Sequence, residues 1–297
     1  AVFDSNSTVN VKLERNVGTI WKLKVLNGYS GTINLNGKDL KTQYNMLINS
    51  GTVLVPANST FQSYRDLYIG TNGTVTASGD GNVIIVRNNL KIYGALKAPS
   101  GGSDRFFVRG GFNIFSGGYF DHSDGTVTFN TRYNNGKKGS CKNKPTAAIN
   151  IVDGPGVGRN FYNVTKTAKK HIYLAKDIEI ENDLSIIGKG YIYASTCSGT
   201  SRNITIGGDW SQLYSSSFQA RSGKVIFNNS TSAQNIDSRS SFKHLQISGS
   251  DVSLLSAATV SGTLTIDSGA KLDINGYNLT TGTLANDGNL QLKGSET

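Results

Sequence analysis

Ser123-Asp124-Gly125-Thr126-Val127-Thr128-Phe129-Asn130 and Arg221-Ser222-Gly223-Lys224-Val225-Ile226-Phe227-Asn228 are one phrase written twice. In each, a polar pair and a glycine lead into a short strand whose alternate residues are apolar: Val127 and Phe129, then Val225 and Phe227. The likeness extends upstream. Asn89-Leu90-Lys91-Ile92-Tyr93-Gly94 resembles Asp183-Leu184-Ser185-Ile186-Ile187-Gly188, and Gly110-Gly111-Phe112 parallels Gly207-Gly208-Asp209-Trp210. Order and spacing hold over about 40 residues, and self-similarity at a fixed offset is the signature of a repeat architecture.

Two further matches widen the pattern. Ile33-Asn34-Leu35-Asn36-Gly37 is repeated as Leu272-Asp273-Ile274-Asn275-Gly276, and Phe161-Tyr162-Asn163-Val164 as Phe242-Lys243-His244-Leu245. Physically this is a coil. A short strand points alternate side chains inward, and Gly, Asn or Asp then turns the chain because these residues tolerate positive φ. Each turn buries its inner face only against its neighbours. The fold class expected is therefore all-β, a right-handed parallel β-helix (β-solenoid). Roughly 22 residues per coil, an ordinary solenoid repeat, predicts about 13 coils stacked at about 4.8 Å, a rod about 60 Å long. A β-sandwich array with Greek-key connections also accommodates many short strands, but not the recurrence of near-identical coil fragments.

Composition agrees. There are 35 Gly, 4 Pro and 1 Met in 297 residues, the hydrophobic fraction is 37%, and apolar residues come in short alternating runs. No window shows sustained 3.6-residue periodicity, so helix is expected to be scarce. The inward set predicted from alternation is Val83, Ile85, Leu90, Ile92, Val127, Phe129, Ile178, Ile180, Leu184, Ile186, Val225, Phe227, Leu264, Ile266, Leu272 and Ile274. Residues 1–297 read as a single solenoid domain with three excursions: 97–106, rich in Gly and Ser; 131–160, with Cys141 and a Lys cluster; and 194–202, with Cys197. Excursions from a solenoid often carry function.

Net charge is +10, from 30 Lys and Arg against 20 Asp and Glu. The densest basic stretches, Lys137, Lys138, Lys142 and Lys144, then Lys166, Lys169 and Lys170, read as loops or loop edges. They are either solubilising charge or a patch for an acidic glycan or cell-wall polymer. No apolar run is long enough to span a membrane, and no signal peptide is visible. The opening Ala1-Val2-Phe3-Asp4 resembles a mature terminus or a domain cut from a longer chain, and the close just after a strand pattern suggests that more protein follows. Cys141 and Cys197 fit no metal or redox spacing; they allow one disulfide between neighbouring loops or two free thiols. Eight N-x-S/T sequons add a weak pointer to an exterior location.

Gly125-Thr126-Val127-Thr128-Phe129-Asn130, the segment Phe242 to Ile247, and Ser261-Gly262-Thr263-Leu264-Thr265-Ile266 through Leu279 resemble the repeat units of large bacterial surface proteins, the haemagglutinin- and autotransporter-like β-helix adhesins. The resemblance covers most of residues 80–292. In size, repeat content and loop decoration the chain is also similar to the tapirins, cellulose-binding surface proteins with a β-helix binding domain. These resemblances imply an extracellular, cell-surface location and an adhesive role towards polysaccharide or a host or substrate surface.

Many β-helices cleave polysaccharides, which needs clustered carboxylates. The best such group is Asp177, Glu179, Glu181 and Asp183, the first three on one outward strand face. It reads better as a solvated face with cross-turn ion pairs. Asp121 and Asp124 around His122 read as turn chemistry. His122, His171 and His244 lack metal-ligand spacing. No G-x-S-x-G elbow is present, and Gly154-Pro155-Gly156-Val157-Gly158 lacks the Lys and Ser/Thr of a phosphate loop. No enzymatic activity, cofactor, metal, nucleic-acid partner or membrane insertion is expected.

Aromatic rings give the better lead, since sugar C–H faces pack on exposed rings. Alternation points Tyr191 and Tyr193 away from Ile192, and Tyr173 away from Ile172 and Leu174. Facing out on neighbouring turns, these three make a ligand-binding strip that Trp210 and Tyr214 extend; the alternative is partial burial under a loop. The function expected is an adhesin domain that binds cellulose or another plant or cell-wall glycan. A structural surface-layer, stalk or filament subunit that self-associates through its open ends, and a polysaccharide lyase or hydrolase, are the alternatives.

Overall fold

The computed structural model describes all residues except 8, 103–104, 131–145, 152–159, 168–170, 197, 215–217, 239–240, 250 and 295–297, and the backbone alone of 146–151 and 160. Every regular element among them is a β-strand. The strands pair in parallel and stack as a β-solenoid of about 12 turns. Internal packing divides the chain into two compact units, Ala1–Tyr133 with Ala148–Tyr162, and Asn134–Ala147 with Asn163–Thr297.

In the first unit each turn presents three sides. One side stacks Leu23–Val25, Met46–Val55, Leu67–Ala77, Leu90–Ile92 and Phe112–Ile114. The longer strands of that set bend and continue along a second side with Thr32–Asn34, Ala95–Lys97 and Tyr119–Asp121. A third side stacks Thr19–Ile20, Leu40–Thr42, Thr60–Ser63, Val83–Val86, Phe106–Val108 and Thr126–Phe129. Between them lies an apolar interior in which Phe106, Phe112, Phe120, Phe129 and Phe161 meet edge-on or tilted. In the second unit Asn163–Lys166, Leu184–Ile186, Trp210–Gln212, Gln234–Asp237, Asp251–Leu254, Lys271–Asp273 and Asn289–Gln291 stack on one side. Ile178–Ile180, Ile204–Ile206, Lys224–Phe227, His244–Ile247, Ala258–Ile266 and Leu279–Asn286 stack on another.

Turn chemistry matches the repeats. Asn36-Gly37 and Asn275-Gly276 all adopt left-handed φ. In both copies the Asn N–H is received by the Asx side chain two residues earlier, and the Asn amide donates to the previous turn, at Leu13 and Leu254. The glycine of the opening phrase is required for another reason. A Cβ on Gly125 would sit 2.1 Å from the Pro99 carbonyl oxygen, and one on Gly223 2.1 Å from that of Arg202. Both obstacles are backbone of the adjacent turn. Gly223→Ala is therefore expected to destabilise the second unit by roughly 3 kcal/mol, the upper range for overpacking, read as a lowered chemical-denaturation midpoint. An unchanged midpoint would show that the turns can part locally.

A second device stitches turn to turn. The Asx residue just before an inward side chain accepts the N–H of its counterpart one turn on. Asn45 accepts from Asp66, Asp66 from Asn89, and Asn89 from Gly111. Asn163 accepts from Asp183, Asp183 from Asp209, and Asp209 from Asn235. These side chains satisfy backbone donors at the corners, where the strand ladder is interrupted.

Alternation places the predicted inward residues correctly, with one slip. In Val83–Val86 the buried residues are Ile84 and Val86, and Val83 and Ile85 are half-buried on the outer side. Four consecutive apolar residues carry no alternation, so the register comes from pairing with Phe61 and Phe106. The segments read as excursions are in part tied down. Segment 131–160 contains a strand, Thr146–Ile151, whose Ile149–Ile151 pairs with Phe112–Ile114. Segment 97–106 is pinned by Ala98 N–H to Asp121 and Thr126 N–H to Gly101. Segment 194–202 closes on itself through an antiparallel Ser195–Ser201 bridge. Cys141 and Cys197, with Lys137, Lys138, Lys142, Lys144, Lys169 and Lys170, lie outside the described residues.

Lys166 corrects the loop reading more sharply. It is the last residue of Asn163–Lys166, pairs with Ile186 and is fully buried. Its Nζ donates to the Gly188 carbonyl at 3.3 Å. Burial pulls its pKa down to about 7, because a dry interior disfavours the ammonium.

Candidate functional site

The five aromatic residues expected to form a strip scatter. Trp210 stands in the second unit's interior at 1% exposure, with its ring edge-on to Phe218 at 4.8 Å and against Phe242 at 5.2 Å. No ligand reaches it from solvent, which removes it from the predicted strip. The repeat itself carried the signal, because Trp210 is the counterpart of inward Phe112.

Tyr173 and Tyr193 do point away from the interior, opposite Ile172 and Ile192, yet both are buried. Their rings stack at 4.5 Å, Tyr191 packs against them, and His171 stacks on Tyr191 at 5.2 Å. Burial, with Tyr173 and Tyr191 beside it, holds the Tyr193 phenol above its ordinary value, opposed by the Arg221 guanidinium 5.5 Å from its ring. Tyr214 alone of the five is well exposed, with Lys189 near its ring. The group is a covered packing cluster with an open margin at Tyr191, rather than a flat strip.

The carboxylates expected to be a bland face have structural duties. Asp177 accepts the Asn203 N–H at 3.0 Å, and Asp183 belongs to the corner ladder. Glu179 and Glu181 are exposed. The three histidines share one task, each accepting a backbone N–H at Nδ1: His122 from Asp124, His171 from Tyr191 and His244 from Thr263.

The most exposed rings lie elsewhere. In the first unit the residue that leaves each third-side strand turns outward at a corner: Trp21, Gln43, Tyr64, Arg87 and Arg109 on five successive turns. The backbone ladder fixes this register, with Gln43 donating to Ile20, Tyr64 to Thr42, Arg87 to Ser63 and Arg109 to Val86. Tyr44, one residue past Gln43, folds onto Trp21 with ring centroids 4.2 Å apart. Trp21 is 64% exposed, Tyr44 42% and Tyr64 39%. The Arg87 guanidinium lies over the Tyr64 ring, 3.9 Å from its centroid, a cation–π geometry that orients the planar fork. Single exposed aromatics need no explanation, but Trp21 and Tyr44 pack together across adjacent turns and Tyr64 stands exposed on the next, a grouping that does.

Charge at this corner is one-sided. Lys22 and Arg65 flank the aromatic positions. Asp66, the acid beside them, is engaged: it meets Lys91 at 3.4 Å, and its Oδ1 receives the Asn88 amide at 2.6 Å and the Asn89 N–H at 3.1 Å. Among the described residues no ion pair neutralises Lys22, Arg65 or Arg87. On the adjoining side Tyr68, Tyr93 and Phe115 make a half-buried outward ladder, with Tyr93 and Phe115 stacked parallel to within 1° at 4.1 Å. The sequence does hold a trace of the corner. Trp21-Lys22-Leu23, Tyr44-Asn45-Met46, Tyr64-Arg65-Asp66-Leu67 and Arg87-Asn88-Asn89-Leu90 each set an aromatic or Arg just before the ladder position and its inward residue.

Compared with known proteins, the chain matches no family model, no curated protein and no solved structure.

Proposed function

We propose that this chain is a cell-surface, extracellular module that binds polysaccharide without turning it over, in the manner of an adhesin. The observation that carries the reading is the exposure of Trp21, Tyr44 and Tyr64 on consecutive turns of one rigid corner. Sugar rings present flat C–H faces that pack on such side chains, and their hydroxyls find donors and acceptors in Gln43, Asn45 and Arg65, all exposed. The solenoid holds these groups at a spacing of about 4.8 Å per turn, so little order is lost on binding. This moves the proposed contact from the Tyr191 cluster to the first unit's corner, and keeps Tyr214 and Tyr191 as secondary candidates.

The test is depletion of purified protein by insoluble cellulose, xylan and pectin, with released sugar assayed in the same tubes. Saturable depletion without sugar release is expected, and Trp21→Ala with Tyr64→Ala should weaken it at least tenfold while leaving the melting curve in place. Depletion that survives both substitutions places binding elsewhere, and sugar release overturns the reading. A structural-subunit reading has its own observation. Leu284, stacked over buried Leu264, is exposed, as is Leu292. No depletion on any polymer, together with concentration-dependent sedimentation, would favour that reading.

A further inference from the structure

The geometry points to a linear polyanionic polysaccharide, of the polyuronate class, as the ligand of the Trp21–Arg109 corner; this rests on the glycan-binding reading above. The corner changes chemistry along its length. Trp21, Tyr44 and Tyr64 come first, and Arg87 and Arg109 take the same outward position on the next two turns. Five such positions span about 19 Å at the spacing of stacked strands. A chain lying along them meets rings at one end and, beyond Tyr64, the Arg87 guanidinium.

Three features favour an anion over a neutral glycan. First, Arg87 carries no ion pair among the described residues, and its guanidinium carbon lies over Tyr64, 3.9 Å from the ring centroid. A guanidinium placed by a ring matches a carboxylate bidentately, which a Lys does not reproduce. Second, Lys22 and Arg65 add positive charge on the same edge, and the carboxylate of Asp66 is already shared between Lys91 and the Asn88–Asn89 donors. Third, the position that carries Arg87 on one turn carries a neutral ring or amide on the turns before it, and no Asp or Glu on any of the five. The site therefore sets a flat apolar seat beside a cationic one at Tyr64 and Arg87, which is the pattern of a uronic acid: a pyranose face with a carboxylate at its margin.

Single-stranded nucleic acid is the other polyanion that stacks on aromatic rings. It fits less well here. Trp21 and Tyr44 already touch at 4.2 Å, which leaves no gap for a base to enter between them. They form one joined platform for a ligand that lies across them.

The experiment is titration of the full chain with polygalacturonate, fully methyl-esterified polygalacturonate, soluble β-1,4-glucan oligosaccharide and poly(dT), each at low and high salt. The expected result is binding of polygalacturonate at least tenfold tighter than of its methyl ester, weakening with salt because charge contributes. Arg87→Gln should lower polygalacturonate affinity at least tenfold, and Arg87→Lys should only partly restore it. The melting curve of each variant checks folding. Equal binding of acid and ester, or binding of the neutral glucan alone, overturns the polyanion inference and leaves the glycan-binding reading standing. Binding of poly(dT) alone, or of none of the four, overturns both.

Discussion

Lys166→Met is expected to stabilise the second unit by roughly 4 kcal/mol at pH 7, a melting shift on the order of 10 °C. Lys166 is fully buried beneath the strand it ends, paired with Ile186, and burial alone takes its pKa down to about 7. In the unfolded chain the same amine keeps its ordinary value of 10.5. Between those two values the unfolded chain binds the proton and the folded chain does not, so folding stability rises with pH from about 7 towards 10.5. Below about 7 both states are protonated and the penalty is at its full, constant size. Met fills similar volume, removes the ionisable group and restores an apolar contact. The gap between variant and parent should therefore be widest at pH 7 and below, and should narrow as pH approaches 10. Thermal melts of both proteins at pH 6, 7, 8.5 and 10 check this. A gap that stays constant across the series would show that Lys166 keeps its proton in the folded state.

Trp210→Ala is expected to act in the opposite direction, costing about 4 kcal/mol. The indole sits between Leu184 and Ile236 in its ladder and makes edge contacts with Phe218 and Phe242. Truncation leaves a hole that stacked turns cannot close, since each is held by its neighbours on both sides. Among the described residues the indole N–H has no hydrogen-bond partner, so Trp210→Phe keeps most ring contacts, relieves that donor and should lose far less. Trp21 and Trp210, 64% and 1% exposed, also make the two tryptophans separable by fluorescence. Trp210→Ala should remove the blue-shifted, quencher-resistant emission, and Trp21→Ala the red, quenchable one. A soluble glycan bound at the corner should perturb only the second. If Trp210→Ala weakened glycan binding in a folded protein, the corner assignment would fail.

The candidate site was far less legible than the coil. Aromatic residues stand on outward positions in both units, and alternation identifies them equally well in each. Tyr173 and Tyr193 obey it and are still covered, whereas Tyr64 and Trp21 obey no strand alternation at all, because they leave the strand at a corner. Exposure at a corner depends on the direction in which the chain departs, and that direction is set by the Asx ladder through Asn45, Asp66 and Asn89. The carboxylates invert the same lesson: Asp177 looks like part of a charged outward face with Glu179 and Glu181 in sequence, yet it serves as a backbone acceptor one turn on, as Asp183 does.

By itself the sequence determined that this chain coils. Recurrent Asn-Gly and Gly-led phrases fix where it turns, and period-two apolar runs such as Leu90–Ile92 and Val225–Phe227 fix which side faces in, because both rules act between residues close in the chain. Tertiary structure alone decided the rest: the register of Val83–Val86, the burial of Lys166 and Trp210, the cover over Tyr193 and the open row from Trp21 to Arg87. Each depends on what the adjacent turn places alongside, about 20 residues away in sequence, and no pattern local to the residue carries that information.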